Sequence, residues 1–271
     1  MTTDQATAEV VLSMRGIGKS FPGVRALSGV ELTVHAGEVA ALLGENGAGK
    51  STLMNVLAGV HADYEGEIEV NGRSVSFHSP KDAQRHGIAM IHQELNLVPE
   101  LSIADNLFLG RELRTPRGTL DRKAMDAKTS GLLRGLGLPL APRRLVRQCR
   151  IAEQQLIEVA KALNLNVRIL VMDEPTSTLA DAEVQRLFSV IRDLSKQGVA
   201  VIYISHRLEE LEETAGDQDR HLAQTMGRAP PGPGVSRRRN RELLAPSAWP
   251  AYQDRSVTLT VSPCSPCSTC G

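Results

Sequence analysis

Short, unbroken apolar runs alternate along this chain with segments whose apolar positions recur every three or four residues. The runs are Glu38 to Leu43, Ile88 to Ile91, Ile169 to Met172 and Val199 to Ile204. Strands covered on both faces need such runs, because neither side of the pleat meets water. Between the last two, Val184, Leu187, Phe188, Ile191 and Leu194 fall on one helical face, and Gly198 follows as a stop. A second stripe is formed by Ala152, Leu156, Val159, Ala160 and Leu163. Strand–helix–strand order with buried strands predicts an α/β fold with a mainly parallel core sheet. Residues 95–165 read as a helical insertion between two sheet strands. Residues 10–37 alternate more, turn at Phe21-Pro22-Gly23 and Ala36-Gly37, and read as an N-terminal antiparallel β subdomain. One domain is therefore expected over residues 9–213.

Beyond Glu213 the pattern stops. Seven of the fourteen prolines, the single tryptophan and three of the four cysteines lie past Ala229. A segment of this kind buries little apolar surface, so 214–271 is expected to be a largely disordered tail, with Ser256 to Val261 the one strand-like stretch. Cys264, Cys267 and Cys270 give three soft ligands, one short of a structural zinc site. The run from Arg237 to Arg241 reads as a solvated charge cluster. Lys and Arg balance Asp and Glu at 31 each, which gives no electrostatic case for nucleic acid as a partner. No apolar run approaches the roughly 20 residues of a membrane-spanning helix. The polar stretch from Met1 to Val10 lacks the order of a signal peptide. A cytosolic protein is expected, and other subunits must cross the bilayer if it serves a membrane process.

Two segments carry chemistry. Gly44-Glu45-Asn46-Gly47-Ala48-Gly49-Lys50-Ser51 fits G-x-x-x-x-G-K-[ST] between a predicted strand and a predicted helix from Ser51 to Ala58. Glycines at those positions let backbone N–H groups turn inward around a phosphate, and the positive end of the following helix points at the same group. Lys50 is placed to reach the β- and γ-phosphates and the Ser51 hydroxyl to ligate Mg²⁺. Thr52 follows in the first helical turn. The second segment, Ile169-Leu170-Val171-Met172-Asp173-Glu174, is an apolar strand ending in two carboxylates. In open α/β sheets ligands bind at the carboxyl ends of strands. Asp173 is expected at the Mg²⁺ hydration shell, and Glu174 as the group that polarises an attacking water.

With both segments in place, the chain resembles the ATP-binding cassettes of ABC transporters, a branch of the P-loop NTPases. The resemblance implies a glutamine at the end of a core strand that meets Mg²⁺ and the water. Gln93, in Met90-Ile91-His92-Gln93-Glu94-Leu95, matches it. It implies a histidine on the γ-phosphate, matched by His206 in Tyr203-Ile204-Ser205-His206-Arg207-Leu208. Pro175-Thr176-Ser177-Thr178-Leu179 resembles the D-loop that links two cassettes. Phe21 is the candidate aromatic for stacking on adenine, with turn packing as the alternative. Gly44 to Gly59 and the wording from His92 to Arg111 are similar to the ribose, xylose and galactose importers. That branch implies ATP hydrolysis that energises a monosaccharide importer. It also implies transmembrane permease subunits, a second cassette, an indirect link to a periplasmic sugar-binding protein, and a peripheral place on the cytoplasmic face of the inner membrane. A soluble ABC ATPase without a transporter, and a nucleotide-binding fragment without turnover, stay open as alternatives.

Two departures qualify the resemblance. The family's signature loop, usually LSGGQ, is here Cys149-Arg150-Ile151-Ala152-Glu153, with neither serine nor glycine pair. The helix after it, from Leu156 to Leu163, matches strongly. Members of the branch usually carry two cassettes in a chain of about twice this length. After residue 213 the wording leaves the family, and codons for Gln218 to Ala223 can spell Arg-Ile-Ala-Thr-Leu one nucleotide on. A truncated or frame-shifted C-terminal part is expected.

Overall fold

The computed structural model describes residues 9–44, 47–177, 179–205 and the backbone of 224–225. Among the described residues the strands are β1 (Val10–Phe21), β2 (Val24–His35), β3 (Val39–Leu43), β4 (Glu65–Val70), β5 (Arg73–Val75), β6 (Ile88–Ile91), β7 (Ile169–Asp173), β8 (Ala200–Ser205) and β9 (Gln224–Thr225). The helices are α1 (Lys50–Leu57), α2 (Pro80–Arg85), α3 (Ile103–Leu107), α4 (Arg122–Gly135), α5 (Ile151–Leu163) and α6 (Asp181–Lys196). The expected α/β class holds: a parallel sheet in the order β6-β7-β8-β3-β9 stands beside an antiparallel sheet in the order β2-β1-β4-β5.

The parallel strands read as unbroken apolar runs because both faces are covered. Alternate residues of a strand face opposite ways. Ile169 and Val171 of β7, with Ile202 and Ile204 of β8, lie in one core with Leu53, Met54 and Leu57 of α1 and Met14 and Val30 of the antiparallel sheet. Leu170 and Met172, with Val201 and Tyr203, lie in a second core with Leu187, Phe188 and Ile191 of α6 and Ile157 and Ala160 of α5. All five predicted positions on the face of α6 are buried. On α5 the stripe is buried at Leu156, Val159 and Ala160, while Ala152 and Leu163 are half-buried near its ends. Residues 92–168 leave the sheet between β6 and β7 and supply α3, α4 and α5, the helical insertion that the sequence predicts.

Three features go beyond the sequence reading. The β4–β5 hairpin extends the antiparallel sheet, turning at Asn71 and Gly72 with φ of 51° and 70°. Two successive positive φ values are what a tight hairpin turn requires, and an Asn-Gly pair supplies them at least cost. Helix α2 is capped by Ser79, whose hydroxyl accepts from the Asp82 N–H. Gln224 and Thr225 pair in parallel with Leu42 and Leu43. Two residues of backbone pairing need no apolar periodicity, so no pattern announced them. Ser256 to Val261 and the three clustered cysteines lie outside the described residues.

One buried polar contact joins the loop after β7 to the sheet. The hydroxyls of Thr176 and Tyr203 lie 2.9 Å apart, and both residues are buried. Tyr203 also packs against Phe188 with ring centroids 5.5 Å apart. Replacing Tyr203 by Phe keeps the ring and removes this bond. The expected loss is about 1 kcal/mol of stability, read as a lower urea midpoint with an unchanged slope.

Candidate active site

The register of the parallel sheet decides what meets at its carboxyl edge. Leu43 of β3 pairs with Ser205 of β8, and Ile204 pairs with Asp173 of β7. The glycine turn after β3 and the carboxylates after β7 therefore leave the sheet at the same level. One strand separates them, about 10 Å between backbones.

The turn is built by close approach. Gly49 has a φ of 89°, and a Cβ there would lie 2.8 Å from the Ala26 carbonyl oxygen and 2.9 Å from Leu27 Cδ2. Strand β2 thus presses on the loop, and only glycine meets both the angle and the space. Lys50 is the first residue of α1 and is buried. Its Nζ donates to the Gly44 carbonyl oxygen at 2.5 Å, so the side chain folds back across the turn to its first residue. Burial pushes the Lys50 pKa down, and the charges of Glu174 and Asp173 push it back up. The ammonium and both carboxylates therefore share one electrostatic site. Gly47 and Ser51 are exposed, while Gly44, Ala48, Gly49 and Thr52 are half-buried. Glu45 and Asn46, which belong to the same predicted loop, lie outside the described residues.

Asp173 is half-buried at the end of β7. Burial raises its pKa, Glu174 raises it further, and His92 and Lys50 pull it down. His92 was not singled out from the sequence, although it directly precedes Gln93. Glu174 continues the pairing, its N–H donating to the Ile204 carbonyl at 3.0 Å, and then turns with a φ of 46°. A left-handed conformation costs a residue with a side chain roughly 1 kcal/mol, and such strain gathers at functional positions. Gln93 is exposed two residues beyond β6, the strand that pairs with β7. His206 follows the last residue of β8 and lies outside the described residues.

Phe21 ends β1. Its ring meets His61 edge-on at 5.3 Å between centroids, and Lys19 Nζ stands 5.0 Å from the ring centre. Lys19 is itself buried and held by Asp63, through the carboxylate at 2.5 Å and the carbonyl at 2.8 Å. Lys19 lies across the hairpin from Leu27, the residue that touches Gly49. Two strand residues on, Phe21 is about 7 Å from Lys19 along β1. The ring is thus packed by Lys19 and His61 at the end of the strand that pairs with β2.

The altered signature stretch opens α5. Arg150 takes the N-cap position and has no side-chain acceptor to give to the helix. Only the reverse half of a capping box forms: Glu153 Oε2 accepts from the Arg150 N–H at 2.8 Å. Cys149 is buried, and burial raises its thiol pKa. It fills the usual leucine position as a small apolar side chain.

The raised pKa of Asp173 fixes the sign of a pH effect. The native state holds this proton to higher pH than the unfolded chain, so the group favours the fold at low pH and that contribution is lost as pH rises through the folded value. Asp173→Asn is expected to raise the melting temperature of the nucleotide-free protein near neutral pH. The gain should vanish as pH falls to the ordinary aspartate value of 3.8, measured by calorimetry across pH.

A family profile described as ABC transporter matches residues 27–177. The ribose import ATP-binding protein RbsA of Rhodopirellula baltica is 54% identical over 209 residues, covering 77% of this chain and 41% of that protein. Ribose import ATP-binding protein RbsA 3 of Rubrobacter xylanophilus is 52% identical over 203 residues, 75% of this chain and 41% of its own length. The chain thus spans about two fifths of the length of these curated relatives. Among solved structures, the ADP conformation of an ATP-binding cassette of an ABC transporter superposes with a TM-score of 0.68 at 26% identity, over 76% of this chain and 84% of that one. The phosphate-type turn, the acidic strand end and the parallel sheet that aligns them fall within this likeness, and the chain belongs to the ABC transporter family of ATP-binding cassettes.

Proposed function

We propose that this chain binds and hydrolyses ATP as the nucleotide-binding subunit of a monosaccharide importer. The carrying observation is the shared electrostatic site of Lys50, Asp173 and Glu174 at one edge of the parallel sheet. A buried ammonium beside two carboxylates suits a polyphosphate brought in with its own counter-ion. The donor set fits a divalent cation, because adjacent ionised carboxylates in a half-buried position raise each other's cost and a cation relieves it. Ser51, Gln93 and Asp173 would hold Mg²⁺, which when bound supplies charge neutralisation on the phosphate oxygens.

The chain's own groups divide the remaining work. Lys50 and the N–H groups of the turn and the first turn of α1 orient the β- and γ-phosphates. Phe21 offers a ring face to the base. Glu174 orients the attacking water and accepts its proton, with Gln93 and His206 completing its surroundings. A second cassette closes over the nucleotide through the D-loop that Thr176 anchors, and excludes other water. Closure drives permease subunits, which receive sugar from a periplasmic binding protein, and the chain sits peripherally at the cytoplasmic membrane face. Among the described residues no helix is long and apolar enough to cross a membrane, in keeping with a peripheral place.

One observation favours a second reading, a nucleotide-binding chain without turnover. The N–H of Arg150, at the start of the signature stretch, is already engaged by Glu153 rather than offered to a partner's phosphate. Labelled ATP and a phosphate-release assay on the full chain separate the two. Lys50→Met is expected to weaken ATP binding about 10- to 100-fold, the worth of a charge-assisted contact. Glu174→Gln is expected to keep binding and lower turnover at least about 100-fold. Binding with no turnover in the parent chain supports the second reading, and absence of binding overturns both. Sugar-stimulated turnover after co-purification with permease subunits tests the importer assignment.

A further inference from the structure

A second cleft, lined by none of Lys50, Asp173 and Glu174, contains a buried amide without a partner. It measures about 230 Å³ and lies between the start of α5, the start of α6 and the turn after α4. Leu156 and Leu187, both buried, give it apolar walls. Gln155 is 3% exposed and lines the same space, yet among the described residues its side-chain amide makes no hydrogen bond. An amide carries two donors and an oxygen that accepts twice, and leaving such a buried group unmatched costs about 1–3 kcal/mol. Gln155 therefore calls for a partner from outside the chain.

The charges around this amide define the partner. Helices α5 and α6 both begin at the cleft, and a helix start carries partial positive charge and free N–H groups. Neither N-cap, Arg150 or Ala180, gives a side-chain acceptor to its helix. Each helix is served instead by the glutamate at its third position. Glu153 Oε2 accepts from the Arg150 N–H at 2.8 Å, and Glu183 Oε2 accepts from the Ala180 N–H at 3.1 Å. The other oxygen of each carboxylate makes no hydrogen bond among the described residues. Two arginines complete the lining. Arg186 donates to the Gly137 carbonyl, which ties α6 to the turn after α4. The Arg150 guanidinium has no partner among the described residues.

Side-chain charges in the cleft cancel, and the two helix ends tip the balance positive. Guanidinium groups and helix N-termini are the groups that hold phosphate. Carboxylate oxygens and an amide suit hydroxyls. The volume is below the roughly 300–1,000 Å³ of pockets for drug-sized ligands, so the occupant is small. We propose that this cleft binds a small phosphate ester carrying hydroxyl groups, of the size of a monosaccharide phosphate. Arg150, Arg186 and the helix ends hold the phosphate, while Gln155, Glu153 and Glu183 hold the hydroxyls. Helix α5 belongs to the insertion and α6 packs against the sheet, so the ligand bridges the two. The inference stands apart from ATP hydrolysis, and its test needs no turnover.

Isothermal titration calorimetry on the full chain takes as its probe ribose phosphorylated at its primary hydroxyl, with ribose and inorganic phosphate titrated separately. The ester is expected to bind at least about tenfold tighter than either part, because it engages both sets of groups. Gln155→Leu keeps the bulk of the side chain and is expected to weaken binding about three- to tenfold. Arg150→Met is expected to weaken it about 10- to 100-fold. It alters an exposed side chain, so it still reports where Gln155→Leu fails to fold. The glycine turn is a separate phosphate site, so the titration is repeated on Lys50→Met, where unchanged affinity is expected. Loss of binding in Lys50→Met, or full affinity in both Gln155→Leu and Arg150→Met, overturns the proposal. So does inorganic phosphate or ribose binding as tightly as the ester, or no uptake of the ester at millimolar concentration.

Discussion

Lys50 and the two carboxylates at the end of β7, Asp173 and Glu174, are held partly out of water at one edge of the parallel sheet. That confrontation sets the demands on the rest of the fold. An ammonium and two carboxylates at this depth are each costly alone and tolerable only in mutual reach. Their spacing is fixed by β8, which pairs with β3 on one side and β7 on the other. A one-residue slip in either ladder would carry a charge to the wrong level and turn apolar side chains onto the wrong face. Cores on both faces of the sheet make such a slip prohibitive, so the packing that stabilises the fold also maintains the site.

The surrounding elements act on that edge at close range. Strand β2 presses its Ala26 carbonyl against the glycine turn, so the antiparallel sheet shapes the loop as well as covering a core. The left-handed turn at Glu174 ends β7 abruptly, and the Thr176–Tyr203 contact pins the chain that leaves it. The insertion returns α5 to the sheet, where Lys161 reaches the segment beyond β6. Each contact joins a loop to a regular element, and the loops carry the chemistry.

Much of this was legible in the sequence, for definite reasons. Strands β3, β6, β7 and β8 announced themselves because burial on both faces leaves no room for polar positions. Lys50 and Asp173 could be found because their backbone contexts, glycines before a helix and an apolar strand before carboxylates, are themselves physical requirements. Strand β4 escaped because only Ile68 and Val70 of its six residues are buried, while Glu65, Glu67 and Glu69 face outward. Helix α2 escaped because it buries only Ala83. Glu158 lies off the apolar stripe of α5. It is buried in the fold, and no local pattern encodes that burial. The strained angle at Glu174 is equally invisible, since it comes from how β7 must end against β8.

The cysteine at the start of the signature stretch carries a chemical consequence of its own. Cys149 is buried, its Sγ lies 3.6 Å from the Leu145 carbonyl, and burial pushes its thiol pKa up. Oxidants and alkylating reagents attack the thiolate and need access to it. Sulfur at this point is therefore shielded from redox traffic, and the loop it anchors keeps the same covalent state in reducing and oxidising surroundings.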